Sequence, residues 1–159
     1  MYPRGHAGIS LIVSAPLTVY FKEVPEFTIF VIIMMWTSIL PDLDIPVCRR
    51  FSAIRHRGIS HTVWSVIFCS AVSIVAYKVA EPWLFFSQEV VLIGVSLGML
   101  SHIIGDGLNK DGVNPFMLAN TDGYHLQMAD ISSDSYYFNN LSILVGVSII
   151  FLVVLLKII

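Results

Sequence analysis

Long apolar segments separated by short polar turns account for most of the chain. A membrane-spanning helix needs about 20 mostly apolar residues, and residues 61–80, 84–106 and 141–159 meet that length. Two shorter apolar segments, 7–22 and 27–41, precede them and are long enough to cross a thin bilayer or to lie in it as re-entrant or interfacial helices. Because a backbone in hydrocarbon must satisfy its own hydrogen bonds, the pattern predicts an all-α, integral membrane bundle of about five helices.

Composition agrees with this pattern and excludes several classes of protein. Of the 159 residues, 56% are apolar and only 13% are charged, whereas a soluble domain carries roughly a quarter charged residues. The formal net charge of −2 leaves no basic surface for a nucleic acid. We expect a single domain, residues 1–159, with a polar loop at residues 107–140 between the last two spans.

The alternation of five helices across a bilayer places most polar groups on one face. The N-terminus, the turn after residue 41, the start of the third helix and the end of the fourth helix all lie at that face. All five histidines fall there (His6, His56, His61, His102 and His125), whereas the opposite face keeps Glu23, Glu26, Glu81 and Glu89. The topology predicts a polar site at one membrane face, which we call the histidine face.

Basic residues orient the bundle. The histidine face carries Arg4, Arg49, Arg50, Arg55, Arg57 and Lys110, against Lys22, Lys78 and Lys157 elsewhere. The excess of arginine and lysine on cytoplasmic loops of membrane proteins predicts that the site face is cytoplasmic.

Two pairs of residues have metal-ligand spacing. His102 and Asp106 are four apart on a predicted helix, so both project from one face; the alternative is a capped helix end. Asp42 and Asp44 lie between prolines, and in an extended segment two carboxylates at this spacing point the same way. Such a pair favours a divalent cation, although a solvated turn is the alternative.

Residues 55–62 form the densest polar segment. His56 and His61 are five residues apart, a spacing that places them on different faces of a helix. We therefore expect His56 in a loop and His61 in a first helical turn. Arg55 and Arg57 suit an anionic substrate because guanidinium groups pair with phosphate oxygens; a basic membrane flank is the alternative. His125 is more typical of a structural or solvated residue, and Gly94 with Gly98 predicts close helix packing.

Four short motifs follow one another along about residues 5–116 and form one set. They are Gly5-His6, Pro41-Asp42-Leu43-Asp44, His56 to Thr62, and His102-x-x-x-Asp106 before Gly112-Val113. The set resembles the YdjM-like family of membrane-bound metal-dependent hydrolases. The resemblance implies metal ligation by His6, Asp42, Asp44, His56, His61, His102 and Asp106. The chain departs from the family pattern at Asn109, where threonine is usual, and Asp134 is the nearest candidate for an expected carboxylate near the last span.

These observations lead to one functional hypothesis and one alternative. We expect a hydrolase in which one or two Zn²⁺ or Mn²⁺ ions activate water. Asp44 would take the proton, and Arg55 or Arg57 would stabilise a phosphoryl oxygen. The expected substrate is a lipid or lipid-linked phosphoester, with an amide left open. The alternative is a metal-ion or small-solute transporter or binding protein, but transport usually requires ionisable residues at mid-bilayer.

Overall fold

The computed structural model describes residues 1–51, 57–117 and 124–158. Within these ranges the chain is helical and contains no strand, which confirms the predicted all-α class. The helices are α1 (Pro3–Ser14), α2 (Val24–Thr37), α3 (Asp44–Arg50), α4 (Val63–Ala80), α5 (Gln88–Gly107) and α6 (Tyr136–Ile158). Two isolated bridges, Asn109 with Ile131 and Val113 with Leu126, hold the non-helical segment between α5 and α6 together.

Four segments are long and apolar enough to cross a membrane: Val24–Pro46, Val63–Trp83, Gln88–Gly107 and Tyr136–Lys157. The predicted span at residues 7–22 has a different form. Helix α1 ends at Ser14 and continues as a 3-10 segment, Ala15–Tyr20, since Pro16 cannot donate a helical hydrogen bond. Its twelve residues cover only about 18 Å of the roughly 30 Å hydrocarbon core.

Helix α1 lies inside the bundle. It packs against α6, α2 and α5, and every residue from Gly5 to Leu11 is buried. A Cβ on Gly8 would lie 2.4 Å from the backbone nitrogen of Ile143, so the glycine permits close contact with α6. This position brings His6, near the start of α1, into the interior at one end of the bundle.

Helices α2 and α5 are held together as the two glycines predicted. A Cβ on Gly98 would lie 2.0 Å from Thr37 Oγ1. The Thr37 hydroxyl also donates to the Gly94 carbonyl at 3.2 Å. Close packing of these helices sets the distance between their ends, where the predicted site residues lie.

Helix α6 begins at Tyr136, before the predicted start at residue 141. The Phe138 amide donates to Ser135 Oγ at 3.3 Å, which is the hydrogen bond of an N-terminal cap. Because residues 136–140 include polar and aromatic side chains, hydropathy alone placed them in the loop.

The end of the bundle away from His6 has an aromatic core, defined by Phe21, Phe27 and Phe30 and called here the phenylalanine core. Phe27 and Phe30 are fully buried, and the Phe21 and Phe30 rings stack with centroids 4.7 Å apart. Leu11, Met34 and Val90 join this cluster, so it connects α1, α2 and α5.

Candidate metal centre

Five buried or nearly buried side chains meet at one end of the helices: His6, Asp42, His61, His102 and Asp106. We call them the His/Asp cluster. They come from α1, from the 3-10 segment Leu40–Leu43 after α2, from the 3-10 segment Ile59–His61 before α4, and from α5. The three imidazoles have no exposed surface, and Asp106 is 1% exposed. Groups of this kind are buried when they are paired or bind a metal.

The separations within the cluster match ligands of a shared ion better than direct hydrogen bonds. His61 Nε2 lies 3.4 Å from Asp42 Oδ1 and 3.5 Å from Asp106 Oδ2, and His102 Nε2 lies 3.5 Å from Asp106 Oδ2. His6 Nε2 lies 3.7 Å from Asp42 Oδ2 and 3.6 Å from Asp106 Oδ1. Hydrogen bonds are shorter, at about 2.7–3.2 Å. Two ligands about 2.0–2.2 Å from a tetrahedral zinc lie about 3.3–3.6 Å apart.

The side chains form two overlapping ligand groups. One contains His6, His102 and Asp106, and the other contains Asp42, His61 and His102, with the ligand atoms of each within 4.8 Å of one another. Among the described residues, His6 Nε2, His102 Nε2 and Asp106 Oδ2 have no hydrogen-bond partner. Buried polar atoms without partners are costly, and a bound cation would satisfy these three at once. Mixed imidazole and carboxylate ligands suit zinc or manganese.

The backbone fixes which nitrogen His102 offers. Its Nδ1 lies 2.7 Å from the Ser38 carbonyl oxygen, which can only accept a hydrogen bond. Nδ1 therefore carries the proton and donates, and Nε2 presents its lone pair to the cluster. Metal-ligating histidines commonly have a backbone or carboxylate partner of this kind.

Burial also favours neutral imidazoles. It lowers the pKa of His6 well below its ordinary value, and the nearby His102 adds to this effect. Burial lowers the pKa of His61 as well. Histidine binds a metal in its neutral form, so both rings are in the required state near neutral pH. The His6 and His102 rings stack with centroids 3.8 Å apart, which two charged imidazolium ions would oppose.

Asp42 and Asp44 do not point the same way as expected from an extended segment. The chain around them is a 3-10 turn followed by the start of α3, and residues two apart in a 3-10 helix differ by about 240°. Asp42 therefore faces the His/Asp cluster. Asp44 lies at the other nitrogen of His61, with its Oδ2 3.6 Å from Nδ1. Asp44 belongs to neither ligand group.

Arg57 lies beside the cluster. Its Nε is 3.5 Å from Asp106 Oδ2, and its Nη1 is 3.4 Å from Asp111 Oδ2. The residue has a φ of +61°, an uncommon value for a side chain other than glycine. Arg57 and Asp111 also line a cavity of about 170 Å³, with Asn114 and the exposed His125 on its wall. Arg57 thus contacts Asp106 of the cluster and lines this cavity.

Other sequence candidates have different outcomes. Arg55 and His56 lie outside the described residues, so their predicted roles stay predictions. Asp134 is exposed and accepts a hydrogen bond from Ser132. His125 lies outside both ligand groups.

Asn109 is a buried neighbour whose role sequence reasoning missed. Its amide donates to Asp106 Oδ1 at 3.1 Å, and it is fully buried. The available signal was its position three residues after Asp106 at the end of α5. The position at which the sequence departs from the family pattern therefore holds a side chain that contacts Asp106 directly.

Fold and site together define an integral membrane helical bundle with a buried group of histidines and aspartates that could bind a metal ion. The chain matches the family model for the YdjM inner membrane protein over residues 1–159, and it belongs to that family. Comparisons with curated proteins and with solved structures found no match.

Proposed function

We propose that this protein is a membrane-bound, metal-dependent hydrolase whose substrate is a lipid or lipid-linked phosphoester. The observation that carries the proposal is the set of buried ligand atoms on His6, His102 and Asp106 that have no hydrogen-bond partner among the described residues. Such a set is expensive in a bundle of this size unless an ion occupies it.

The His/Asp cluster would hold the ion, Zn²⁺ or Mn²⁺. A divalent ion there would supply a Lewis acid and an activated water for hydrolysis. Ser38 and Asn109 hold His102 and Asp106 in place. The metal-binding side chains are therefore held in position before any ion binds, which reduces the free-energy cost of ordering the site.

Arg57 would bind the anionic group of the substrate. A guanidinium carries five donors; in Arg57, Nε faces Asp106 and Nη1 faces Asp111 and the Gly112 carbonyl, so these contacts do not use the Nη2 donors. The remaining donors can bind phosphoryl oxygens, as arginine does in many phosphate sites. The cavity that Arg57 lines would hold the substrate headgroup, and Arg57 itself connects this cavity to Asp106 of the cluster.

The position of the cluster favours a substrate at the bilayer surface. His61 lies two residues before the start of α4, and Asp106 lies in the last turn of α5, so both are at span ends. Within the described spans, the ionisable residues lie toward the ends of the helices. This arrangement supports hydrolysis of a headgroup over transport through the bilayer, where such residues are expected near the midplane.

A hydrolysis screen tests the proposal. The full chain would be purified in detergent, supplied with Mn²⁺ or Zn²⁺ and incubated with a panel of phospholipids, lipid-linked diphosphates and N-acyl lipids. We expect phosphate-ester cleavage that disappears in Asp106→Asn. In Arg57→Ala we expect weakened substrate binding with normal metal content. Metal-loaded protein that cleaves no member of the panel but moves metal into vesicles would support the transport alternative.

A cytoplasmic site face is part of the same proposal. Asp111→Cys at the histidine face and Glu81→Cys at the other end would be made in a Cys48→Ser, Cys69→Ser background. A membrane-impermeant thiol reagent added outside intact cells should label only the Glu81→Cys protein. Labelling of Asp111→Cys instead would place the site on the outer face.

A further inference from the structure

We propose that Asp44 and Ser60 set the tautomer of His61, so that Asp44 is a positioning residue and not a ligand. The observation is a short hydrogen-bonded chain. Ser60 Oγ lies 2.5 Å from Asp44 Oδ2 and 2.9 Å from His61 Nδ1. The consequence for metal affinity rests on the proposed function, whereas the tautomer itself does not.

The direction of these hydrogen bonds follows from the protons available. An ionised carboxylate only accepts, so the Ser60 hydroxyl donates its single proton to Asp44. The Ser60 oxygen can then only accept from His61, which requires a proton on Nδ1. In the neutral imidazole, His61 Nε2 then carries a lone pair.

That lone pair faces the other ligand atoms. His61 Nε2 lies 3.4 Å from Asp42 Oδ1 and 3.5 Å from Asp106 Oδ2. The same tautomer is set at His102 by the Ser38 carbonyl. Two imidazoles therefore present lone pairs to two carboxylates, which is the arrangement that a cation requires.

The fold explains why Asp44 reaches the outer side of the ring. The 3-10 turn at Leu40–Leu43 sends Asp42 inward and starts α3 at Asp44. Asp44 then meets Ser60 and His61 Nδ1, on the side of the imidazole away from Asp42. A carboxylate at Nδ1 cannot also bind an ion held at Nε2 of the same ring. Partners at this position orient the ligand and raise its basicity.

Two measurements on the full chain in detergent micelles test the proposal. The first is ¹⁵N nuclear magnetic resonance of histidine-labelled, metal-free protein, with His61→Gln used to assign the His61 signals. We expect the Nδ1–H tautomer in the wild type and in Ser60→Thr, which keeps the hydroxyl. We expect its loss in Ser60→Ala. Ser73→Ala is the matched control, since the Ser73 hydroxyl donates to the Ser70 carbonyl further along α4.

The second measurement is zinc affinity by chelator competition. Changes to such partners typically weaken metal binding by about 10–100-fold, so we expect this loss in Ser60→Ala and Asp44→Asn. Asp42→Asn should lose more, because Asp42 is a ligand.

An Nε2–H tautomer in the wild type would overturn the proposal, as would an Asp44→Asn protein that loses zinc as fully as Asp42→Asn. If the wild type binds no zinc, the proposed function fails, but the tautomer and its dependence on Ser60 still decide this inference.

Discussion

The two ends of the bundle bury their side chains in opposite ways. At one end the phenylalanine core consists of apolar rings in contact with one another. At the other end the His/Asp cluster buries polar atoms that lack hydrogen-bond partners within the described residues. Helices α1, α2 and α5 contribute to or adjoin both ends. The two ends are therefore different local environments built on the same three helices.

The difference concerns what each end needs to be stable. Between helices in a bilayer, packing replaces the hydrophobic effect as the main source of stability, because lipid is as apolar as the side chains. The phenylalanine core supplies such packing without a ligand. The cluster has carboxylates and imidazole nitrogens close together, so we expect a bound cation to stabilise it. Loss of metal should therefore weaken one end and leave the other intact.

The largest expected effect is loss of metal from the cluster. His102→Ala and Asp106→Ala each remove a ligand atom, so we expect metal content to fall from at least one ion per chain to near zero in elemental analysis. Glu89→Ala is the matched control, because Glu89 lies exposed at the opposite end of α5. His125→Ala, which removes an imidazole outside the cluster, should also retain metal. Unchanged metal content in both ligand variants would remove the basis of the comparison.

A substitution between the two ends should disturb both. Gly98→Leu places a side chain where even a Cβ would lie 2.0 Å from Thr37 Oγ1. We expect α2 and α5 to separate, with a loss of about 3 kcal/mol in the free energy of unfolding and reduced metal affinity. Unfolding in mixed detergent micelles measures the first quantity. Ile93→Leu, at a more exposed position of α5, should change neither.

Damage to the phenylalanine core should lower stability without removing metal. Phe27→Ala leaves a cavity at a fully buried position. Only the packing part of the usual penalty applies in a bilayer, so we expect a loss of about 2 kcal/mol. Micelle unfolding and elemental analysis of the same sample measure the two quantities. Metal loss as complete as in His102→Ala would show that the two ends are not separable.

The smallest expected effect comes from a polar contact between the ends. Ser70 Oγ and Ser96 Oγ lie 2.8 Å apart and join α4 to α5. Hydrogen bonds between membrane helices are worth about 0.6 kcal/mol on average, so Ser70→Ala should cost about this much. Ser73→Ala is the control, since its hydroxyl donates to its own helix. A loss of several kcal/mol would mean that this contact, and not the two ends, determines helix packing.

Hydropathy predicted the long spans and the gathering of polar residues at one face because both depend on local composition. It did not predict that α1 is a short inner helix, since burial inside the bundle and exposure to lipid both select apolar residues. The different directions of Asp42 and Asp44 depend on a 3-10 turn that the proline spacing did not distinguish from an extended segment. Ser38, 64 residues from His102, could not be found because its contact exists only in the folded chain.

X-ray absorption of the zinc-loaded full chain tests directly whether the His/Asp cluster binds a metal ion. We expect nitrogen and oxygen ligands with the multiple scattering typical of two or three imidazoles. We also expect this pattern to be lost in His102→Ala and retained in His125→Ala. Sulfur ligands, or a spectrum unchanged by His102→Ala, would contradict a metal centre built from the His/Asp cluster.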